Sequence, residues 1–257
     1  MGALLVYKGY DILVSENERR DLLVYKRYRD KSNIKAALKD FLTPKDEFEG
    51  KKVEENYFPQ INSNVFISHS HDDEDIAEGL ACYLEDKLGL NVFLDGEYWG
   101  SCDELLQTVD DRYCLNKNEQ TYNYTKRNFT TSVMHMLLAM ALARVIQTTE
   151  CVLFLHTNNT IKRPRYADDK QTDSPWIYYE LSISKILKPT MLKRTIELRK
   201  KLESDSVPIN EEFKPRLPAA LDHLAKLSVS SLLCWGNKCI REYKQGERCL
   251  DELYRTF

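Results

Sequence analysis

The sequence lacks an excess of charge of either sign, because 37 Lys and Arg residues nearly balance 40 Asp and Glu residues. A protein that binds nucleic acid over a broad surface needs a basic excess to neutralise phosphates, so this class of protein is not indicated. Glycine and proline are also scarce, with 9 and 8 residues in a chain of 257, while 42% of the residues are hydrophobic. This composition excludes intrinsically disordered and collagen-like proteins.

A long hydrophobic run is missing as well. The longest apolar stretch, from Val133 to Ile146, is shorter than the ~20 residues needed to cross a bilayer, and it contains His135 and Arg144. The apolar run in the first ten residues is too short for a signal peptide. The sequence therefore predicts a cytoplasmic protein without a membrane anchor.

The seven cysteines include no CxxC pair. Cys151 begins the apolar run CVLFL, in which a thiol packs as a small hydrophobic group. A reduced cytosolic protein is the expected class. A zinc site built from Cys234, Cys239 and Cys249 stays open as an alternative, although their spacing matches no recognised ligand pattern.

A strand, a helix and a second strand follow one another from residue 63. Asn64 to Ser68 (NVFIS) and Asn91 to Asp95 (NVFLD) are short apolar runs typical of buried strands. Between them, apolar residues recur at helical spacing from about residue 73 to residue 88, and Gly89 provides a helix stop. The pattern predicts a βαβ unit with two parallel strands.

The same alternation continues along the chain. It predicts helices over about residues 101–111 and 131–148, where Thr131 or Ser132 is the expected cap, and a third buried strand over residues 151–157. A further helix begins with Ser174 as its N-cap and Pro175 at its first position. These elements predict an α/β fold, a flavodoxin-like doubly wound parallel sheet with its ligand at the carboxyl ends of the strands.

The α/β domain is expected over residues 63–188. Residues 1–62 are predicted to form an N-terminal helical extension, and residues 189–257 a C-terminal one. Residues 112–129 are polar and rich in tyrosine, which indicates an insertion rather than a core element. Helical patterns in the two extensions run over about residues 16–42, 191–202 and 237–254.

The loop after the first strand carries two candidate metal ligands and a carboxylate. His69, His71 and Asp73 are spaced like part of the zinc-binding run of metallo-β-lactamase-type hydrolases. Glu74 stands where the closing histidine of that run belongs. A polar loop that caps a helix explains the same residues, so a metal-dependent hydrolase remains an alternative and no metal is expected.

Trp176 and Glu180 share one face of the helix that follows Ser174, because they lie four residues apart. Apolar and aromatic residues surround them in the sequence SPWIYYEL. A partly desolvated carboxylate interacts more strongly with a developing positive charge. A polar stripe formed by Glu180 with Ser184 and Lys188 explains the pattern equally well when the motif stands alone.

Three motifs in order resemble the TIR domain, the Toll/interleukin-1-receptor-type fold. In that family the first strand reads like VFISH, the second like VFLD, and the helix after a later strand carries S-x-W-x-x-x-E. Here they are VFISH from Val65, VFLD from Val92 and SPWIYYEL from Ser174. The resemblance covers about half of the chain, residues 64–187, and is closest to bacterial TIR proteins, including the TIR subunit of Thoeris anti-phage systems.

The resemblance implies an enzyme that cleaves NAD⁺ at the nicotinamide–ribose bond. Glu180 would be the catalytic carboxylate and Trp176 a stacking surface for a base. Ser68, His69 and Ser70 would line the same crevice, because they follow the carboxyl end of a strand. NAD⁺ is then a substrate and no other cofactor is implied. The product would be free ADP-ribose, a cyclic isomer or a conjugate.

Asp95 and Trp99 are also expected among the substrate-binding residues. They lie at the second strand end and in the loop after it, a region that mediates assembly in many TIR domains. A turn-capping role for Asp95 and a packing role for Trp99 are equally compatible with the sequence. Lys162, Arg163 and Arg165 precede the Glu180 helix, where they either meet a pyrophosphate or form a solvated loop.

The expected partners are NAD⁺, further copies of the chain and a separate effector protein that responds to the product, without nucleic acid or membrane. A non-catalytic TIR interaction scaffold is the alternative.

Overall fold

A computed structural model divides the chain into two compact units. The first unit contains residues 1–28, 62–94 and 145–257, and the second contains residues 29–61 and 95–144. The structure describes residues 8–27, 50–94, 99, 102–117, 120–162, 170–187 and 217–257.

Five parallel strands form the main sheet of the first unit, in the spatial order β3-β2-β4-β1-β7. A second, antiparallel pair joins β5 to β6. The predicted α/β class with a parallel sheet is thereby confirmed. The strands are β1 (Lys8–Leu13), β2 (Val65–Ser68), β3 (Val92–Phe93), β4 (Cys151–His156), β5 (Gln171–Thr172), β6 (Leu217–Pro218) and β7 (Ala225–Ser228).

Helices account for most of the remaining described residues. They are α1 (Glu16–Leu23), α2 (Gly50–Asn56), α3 (Glu74–Leu88), α4 (Cys102–Tyr113), α5 (Tyr124–Thr148), α6 (Pro175–Ile186), α7 (Val229–Arg241) and α8 (Glu247–Thr256). A single 3-10 turn, His71–Asp73, precedes α3.

Local sequence explains where two of these helices begin and end. Helix α3 ends at Gly89, whose φ of 64° is the left-handed conformation that a side chain disfavours. Helix α6 begins after Ser174, whose hydroxyl accepts a hydrogen bond from the backbone N–H of Ile177, and Pro175 occupies the first helical position. Both helix ends agree with the prediction from sequence.

Alternate residues of the strands face opposite sides of the sheet. On one side, Leu153 and its equivalents on neighbouring strands pack into a core with α3, α7 and α8. On the other side, Phe154 packs against Ile177 and Leu181 of α6. Helices on both faces of a parallel sheet are the arrangement of a doubly wound domain.

The two ends of the chain contribute to this sheet, in contrast to the helical extensions expected from sequence. β1 lies between β4 and β7, and β7 forms an edge. Helix α1 (Glu16–Leu23) covers the first part of the helical pattern predicted over residues 16–42. Residues 28–49 lie outside the described residues, as does the helical pattern predicted over residues 191–202. The pattern over residues 237–254 falls on two helices, α7 and α8. Gly246, which immediately precedes α8, has a backbone φ of 58°.

In the second unit, Phe58 and Trp99 form an edge-to-face aromatic pair with ring centroids 5.2 Å apart. The indole N–H of Trp99 donates to the carbonyl of Pro59 at 3.3 Å. Arg144 of α5 donates to Glu54 of α2 at 2.6 Å. These contacts join α2, the loop containing residue 99 and α5.

Helix α5 starts at Tyr124, seven residues before the expected start, so part of the predicted insertion is helical. By length and composition alone, this helix of 25 residues is able to cross a membrane, and 33% of its most apolar 18-residue window is buried. The core helix of a soluble protein, which is mostly buried, has the same length and apolar composition. The finding is therefore only a weak indication of a membrane span.

Candidate functional site

Two polar residues, Ser68 and Asp11, lie in one row across the sheet near its carboxyl edge, with Phe154 between them. Ser68 of β2 is in register with Phe154 of β4, which is in register with Asp11 of β1. Neighbouring strands lie about 4.8 Å apart, so Ser68 and Asp11 are separated by about 10 Å. Their side chains share the face of the sheet against which α6 packs, because residues in register point to the same side.

Ser68 and Glu180 form a buried hydrogen bond across this face. The Ser68 hydroxyl donates to Oε2 of Glu180 at 2.6 Å. Ser68 is 2% exposed and Glu180 is 7% exposed. Trp176, one turn earlier on α6, is half-buried. The structure thus brings together the first and last of the three sequence motifs.

His69 and Ser70 continue from Ser68 into the loop, and both are half-buried. Nδ1 of His69 lies 3.3 Å from the carbonyl of Ile67. Ser70 precedes the 3-10 turn without capping it through its side chain. Both residues lie beside the Ser68–Glu180 pair, because they directly follow Ser68 in the chain.

Asp73 connects this loop to the loop after β4. Its fully buried carboxylate accepts hydrogen bonds from Arg19 at 2.8 Å, from Asn159 at 2.8 Å and from the hydroxyl of Thr157 at 2.5 Å. The side chain of His71 is 95% exposed. Within the described part of the chain, no group of three or more potential ligands gathers around a metal position. The structure therefore does not bring His69, His71 and Asp73 together as ligands.

Asp11 and His156 form a second buried pair at the same edge of the sheet. Nδ1 of His156 donates to Oδ1 of Asp11 at 2.8 Å, because a carboxylate is the acceptor. Lys170 lies 3.5 Å from the other oxygen of Asp11. This bond leaves Nε2 of a neutral His156 as an unprotonated, basic nitrogen.

An open cleft of about 610 Å³ lies at the carboxyl ends of β1 and β4. This volume is within the usual range for small-molecule sites. Neither Ser68 nor Glu180 is among its lining residues. The polar residues that line it are Ser15, Glu18, His156, Thr157, Asn158 and Lys162.

The other predicted site residues lie in the second unit, line the cleft or fall outside the described residues. Trp99 is 3% exposed and packs inside the second unit. This is the packing role that the sequence left open for it. Lys162 lines the cleft, and its amino group donates to the carbonyl of Asn158 at 2.7 Å. Asp95, Arg163 and Arg165 lie outside the described residues.

The structure does not gather the three cysteines of the zinc alternative. Cys234, Cys239 and Cys249 all lie in the described part of the chain, where no group of three or more potential ligands surrounds a metal position. Burial raises the pKa of Cys249 to about 12 and also raises the pKa of Cys239. Cys234 is exposed on α7.

Comparison of the chain with protein-family models, with curated proteins and with solved structures found no match. The site therefore has to be interpreted from its own geometry. Sequence reasoning missed the Asp11–His156 pair. The sequence indicated only that His156 ends the buried strand CVLFLH, because KGYDIL mixes charged and apolar residues and gives no strand signal around Asp11.

Proposed function

We propose that this chain carries a TIR domain that cleaves the nicotinamide–ribose bond of NAD⁺. The product is an ADP-ribose-derived signal nucleotide, cyclic or conjugated, that acts in anti-phage defence. The proposal combines the motif resemblance with the geometry at the carboxyl end of the sheet.

The hydrogen bond between Ser68 and Glu180 is the observation that carries the proposal. The two residues belong to motifs separated by 112 positions, and each motif resembles the TIR pattern independently. The two residues meet at the carboxyl edge of a parallel sheet, which is the place where an α/β domain binds its ligand. A solvated polar stripe on α6 would instead leave Glu180 exposed, whereas it is 7% exposed.

The chemistry follows from the placement of the carboxylate. Departure of nicotinamide leaves positive charge on the ribose ring, as in glycoside cleavage. A carboxylate in a poorly solvated site stabilises that charge more strongly than one in water. Ser68 donates to one oxygen of Glu180 and so orients it towards the ribose hydroxyls. Half-buried Trp176 supplies an aromatic face for a base.

The proposed enzyme works in the cytoplasm with partners of two kinds. Further copies of the chain associate through TIR surfaces to complete the active assembly. A separate effector protein binds the nucleotide product. The alternative function is a TIR scaffold that acts through association alone.

The deciding experiment measures NAD⁺ consumption and product masses in extracts of cells with and without phage challenge. It compares the wild type with Glu180→Gln. Glu78→Gln is a matched control, because Glu78 is also a helical glutamate at 7% exposure but pairs with Lys26 at 2.9 Å. We expect NAD⁺ loss and an ADP-ribose-type product from the wild type and the Glu78 variant, and neither from the Glu180 variant.

The product mass separates hydrolysis from conjugation, and chromatography identifies a cyclic isomer. If no variant consumes NAD⁺ under either condition while Glu180→Gln still protects cells, the enzyme hypothesis is wrong and the scaffold replaces it. Equal turnover by the wild type and Glu180→Gln would assign the activity to other residues.

A further inference from the structure

The buried Asp11–His156 pair has the form of a proton-transfer dyad. A carboxylate that accepts from Nδ1 fixes the tautomer of the imidazole, so that Nε2 carries the lone pair. Among the described residues, the structure records no other hydrogen bond from this ring. His156 is one of the residues that line the open cleft. The pair therefore joins a buried, oriented carboxylate to an imidazole that is itself 7% exposed and lines the cleft.

The dyad lies within reach of the Ser68–Glu180 pair. His156 is two residues beyond Phe154, which is the register partner of Ser68 on the neighbouring strand. One strand spacing and two residue rises place the Cα atoms of His156 and Ser68 about 8 Å apart. Both side chains project from the same face of the sheet. A ribose held at Glu180 and a second molecule held in the cleft would therefore be neighbours.

We propose that the cleft binds the nucleophile that accepts the ADP-ribosyl group, and that His156 removes its proton. This proposal rests on the proposed NAD⁺ cleavage and adds the site of the second substrate. The acceptor is a small polar molecule whose attacking atom carries an O–H or N–H bond. Asn158 and Lys162 supply hydrogen-bond donors to it, and Glu18 supplies an acceptor.

The bond between ribose C1′ and the nicotinamide nitrogen breaks, and its electron pair leaves with nicotinamide, which becomes neutral. The acceptor oxygen or nitrogen forms a new bond to C1′, while its proton passes to Nε2 of His156. Asp11 stabilises the resulting imidazolium, and the proton is later released to solvent. Asp11 is a positioning residue, because it acts through His156.

An anionic nucleophile tests this assignment, since azide attacks C1′ without losing a proton. The variant His156→Asn places an amide N–H near the position of Nδ1, which preserves the bond to Asp11 but removes the base. We expect product formation by His156→Asn to fall on the order of 10²-fold without azide. With azide, we expect this variant to form ADP-ribosyl azide at least about 10-fold faster than its own azide-free rate. Glu180→Gln is expected to show no rescue.

Two further variants complete the design. Asp11→Asn removes the orienting carboxylate, and we expect partial loss of activity that azide also restores. His71→Gln is the matched control, because its side chain is 95% exposed, and it is expected to retain wild-type turnover. Melting curves of each variant identify changes that act through folding alone.

The outcomes separate this proposal from the one on which it rests. Wild-type-like turnover by folded His156→Asn, or loss of turnover without azide rescue, overturns the role of the dyad while NAD⁺ cleavage by Glu180 stands. If Asp11→Asn loses stability but not activity, its positioning role is wrong. Wild-type protein that never consumes NAD⁺ overturns both proposals together.

Discussion

The guanidinium of Arg19 on α1 donates a hydrogen bond to the fully buried carboxylate of Asp73, 54 residues later in the chain. Thr157 and Asn159 donate to the same carboxylate from the loop after β4. One side chain thus holds together three segments that surround the carboxyl edge of the sheet. Removal of its charge should loosen all three at once.

The first prediction concerns Asp73→Asn. The substitution leaves Arg19 without its counter-ion, and we expect a loss of about 2–3 kcal/mol in the free energy of unfolding. The loss falls below that of a fully buried pair because the side chain of Arg19 is 24% exposed. Urea denaturation measures it. The neighbouring change Asp72→Asn, at an exposed position, should cost less than about 0.5 kcal/mol. Equal effects would contradict the role given to Asp73.

The second prediction concerns Ser68→Ala, which removes the donor to Glu180. We expect NAD⁺ turnover to fall on the order of 10-fold, because the carboxylate loses the bond that orients it. Stability should fall by about 1–3 kcal/mol, since a buried acceptor loses the hydrogen bond from Ser68.

The control for this change is Ser63→Ala. Ser63 is also buried, and its hydroxyl bonds to that of Thr149 at 3.2 Å. The control should lose stability without losing turnover. A parallel loss of turnover in both variants would mean that Ser68 acts only through folding.

The third prediction concerns Gly79 in the middle of α3. A Cβ atom at this position would lie 2.3 Å from the backbone carbonyl oxygen of Leu22, at the end of α1. The backbone has little freedom to move away, so we expect Gly79→Ala to destabilise the protein by about 1–3 kcal/mol despite the better helix propensity of alanine.

A matched glycine distinguishes packing from propensity. A Cβ at Gly50, on the first position of α2, meets only a side-chain atom of Leu137 at the ordinary distance of 3.7 Å. Gly50→Ala should therefore leave stability unchanged or raise it. Chemical denaturation of both variants tests the contrast, and a stable Gly79→Ala protein would refute the close approach of α1 to α3.

The fourth prediction concerns acid sensitivity. Hydrogen bonds from Lys238 and from Lys244 lower the pKa of Glu252 to about 2. The pKa is higher in the unfolded chain, about 4.3, so this interaction stabilises the fold above that pH and is lost as the pH falls towards 2. Glu252→Gln should thus lower the melting temperature at pH 7 and flatten its decline between about pH 4.5 and 2.

Thermal melts across this pH range provide the measurement. Asp21→Asn is the control, because Asp21 is an exposed carboxylate on α1. It should leave the shape of the pH profile unchanged. A Glu252 variant with the wild-type profile would assign the acid sensitivity to other carboxylates.

The elements that sequence predicted correctly are those with strong local signals. β2, β3 and β4 are continuous apolar runs, while α3 and α6 carry a helix stop at Gly89 and a cap at Ser174. β1 has no such signal, because KGYDIL mixes charged and apolar residues and becomes a strand through its pairing with β4 and β7. The early start of α5 was missed because its first turns are polar and exposed.

The contacts of the candidate site also differ in how far the sequence could predict them. The proximity of Ser68 and Glu180 was expected because both lie in motifs that resemble one family. The contact between Asp11 and His156 depends on the pairing of strands 145 residues apart, which no local pattern encodes. The metal hypothesis for the loop at residues 69–73 depended on spacing alone, whereas Asp73 bonds to Arg19, Thr157 and Asn159.

The position of β1 between β4 and β7 also determines when this fold is completed during synthesis. Lys8 pairs with Cys151 and Tyr10 with Ala225, so β1 leaves the ribosome long before either of its neighbours exists. Parallel pairing between such distant segments forms late. A nascent chain that stops short of residue 151 contains Asp11 but not His156. Each new molecule therefore acquires its assembled strand edge only after translation has passed residue 228.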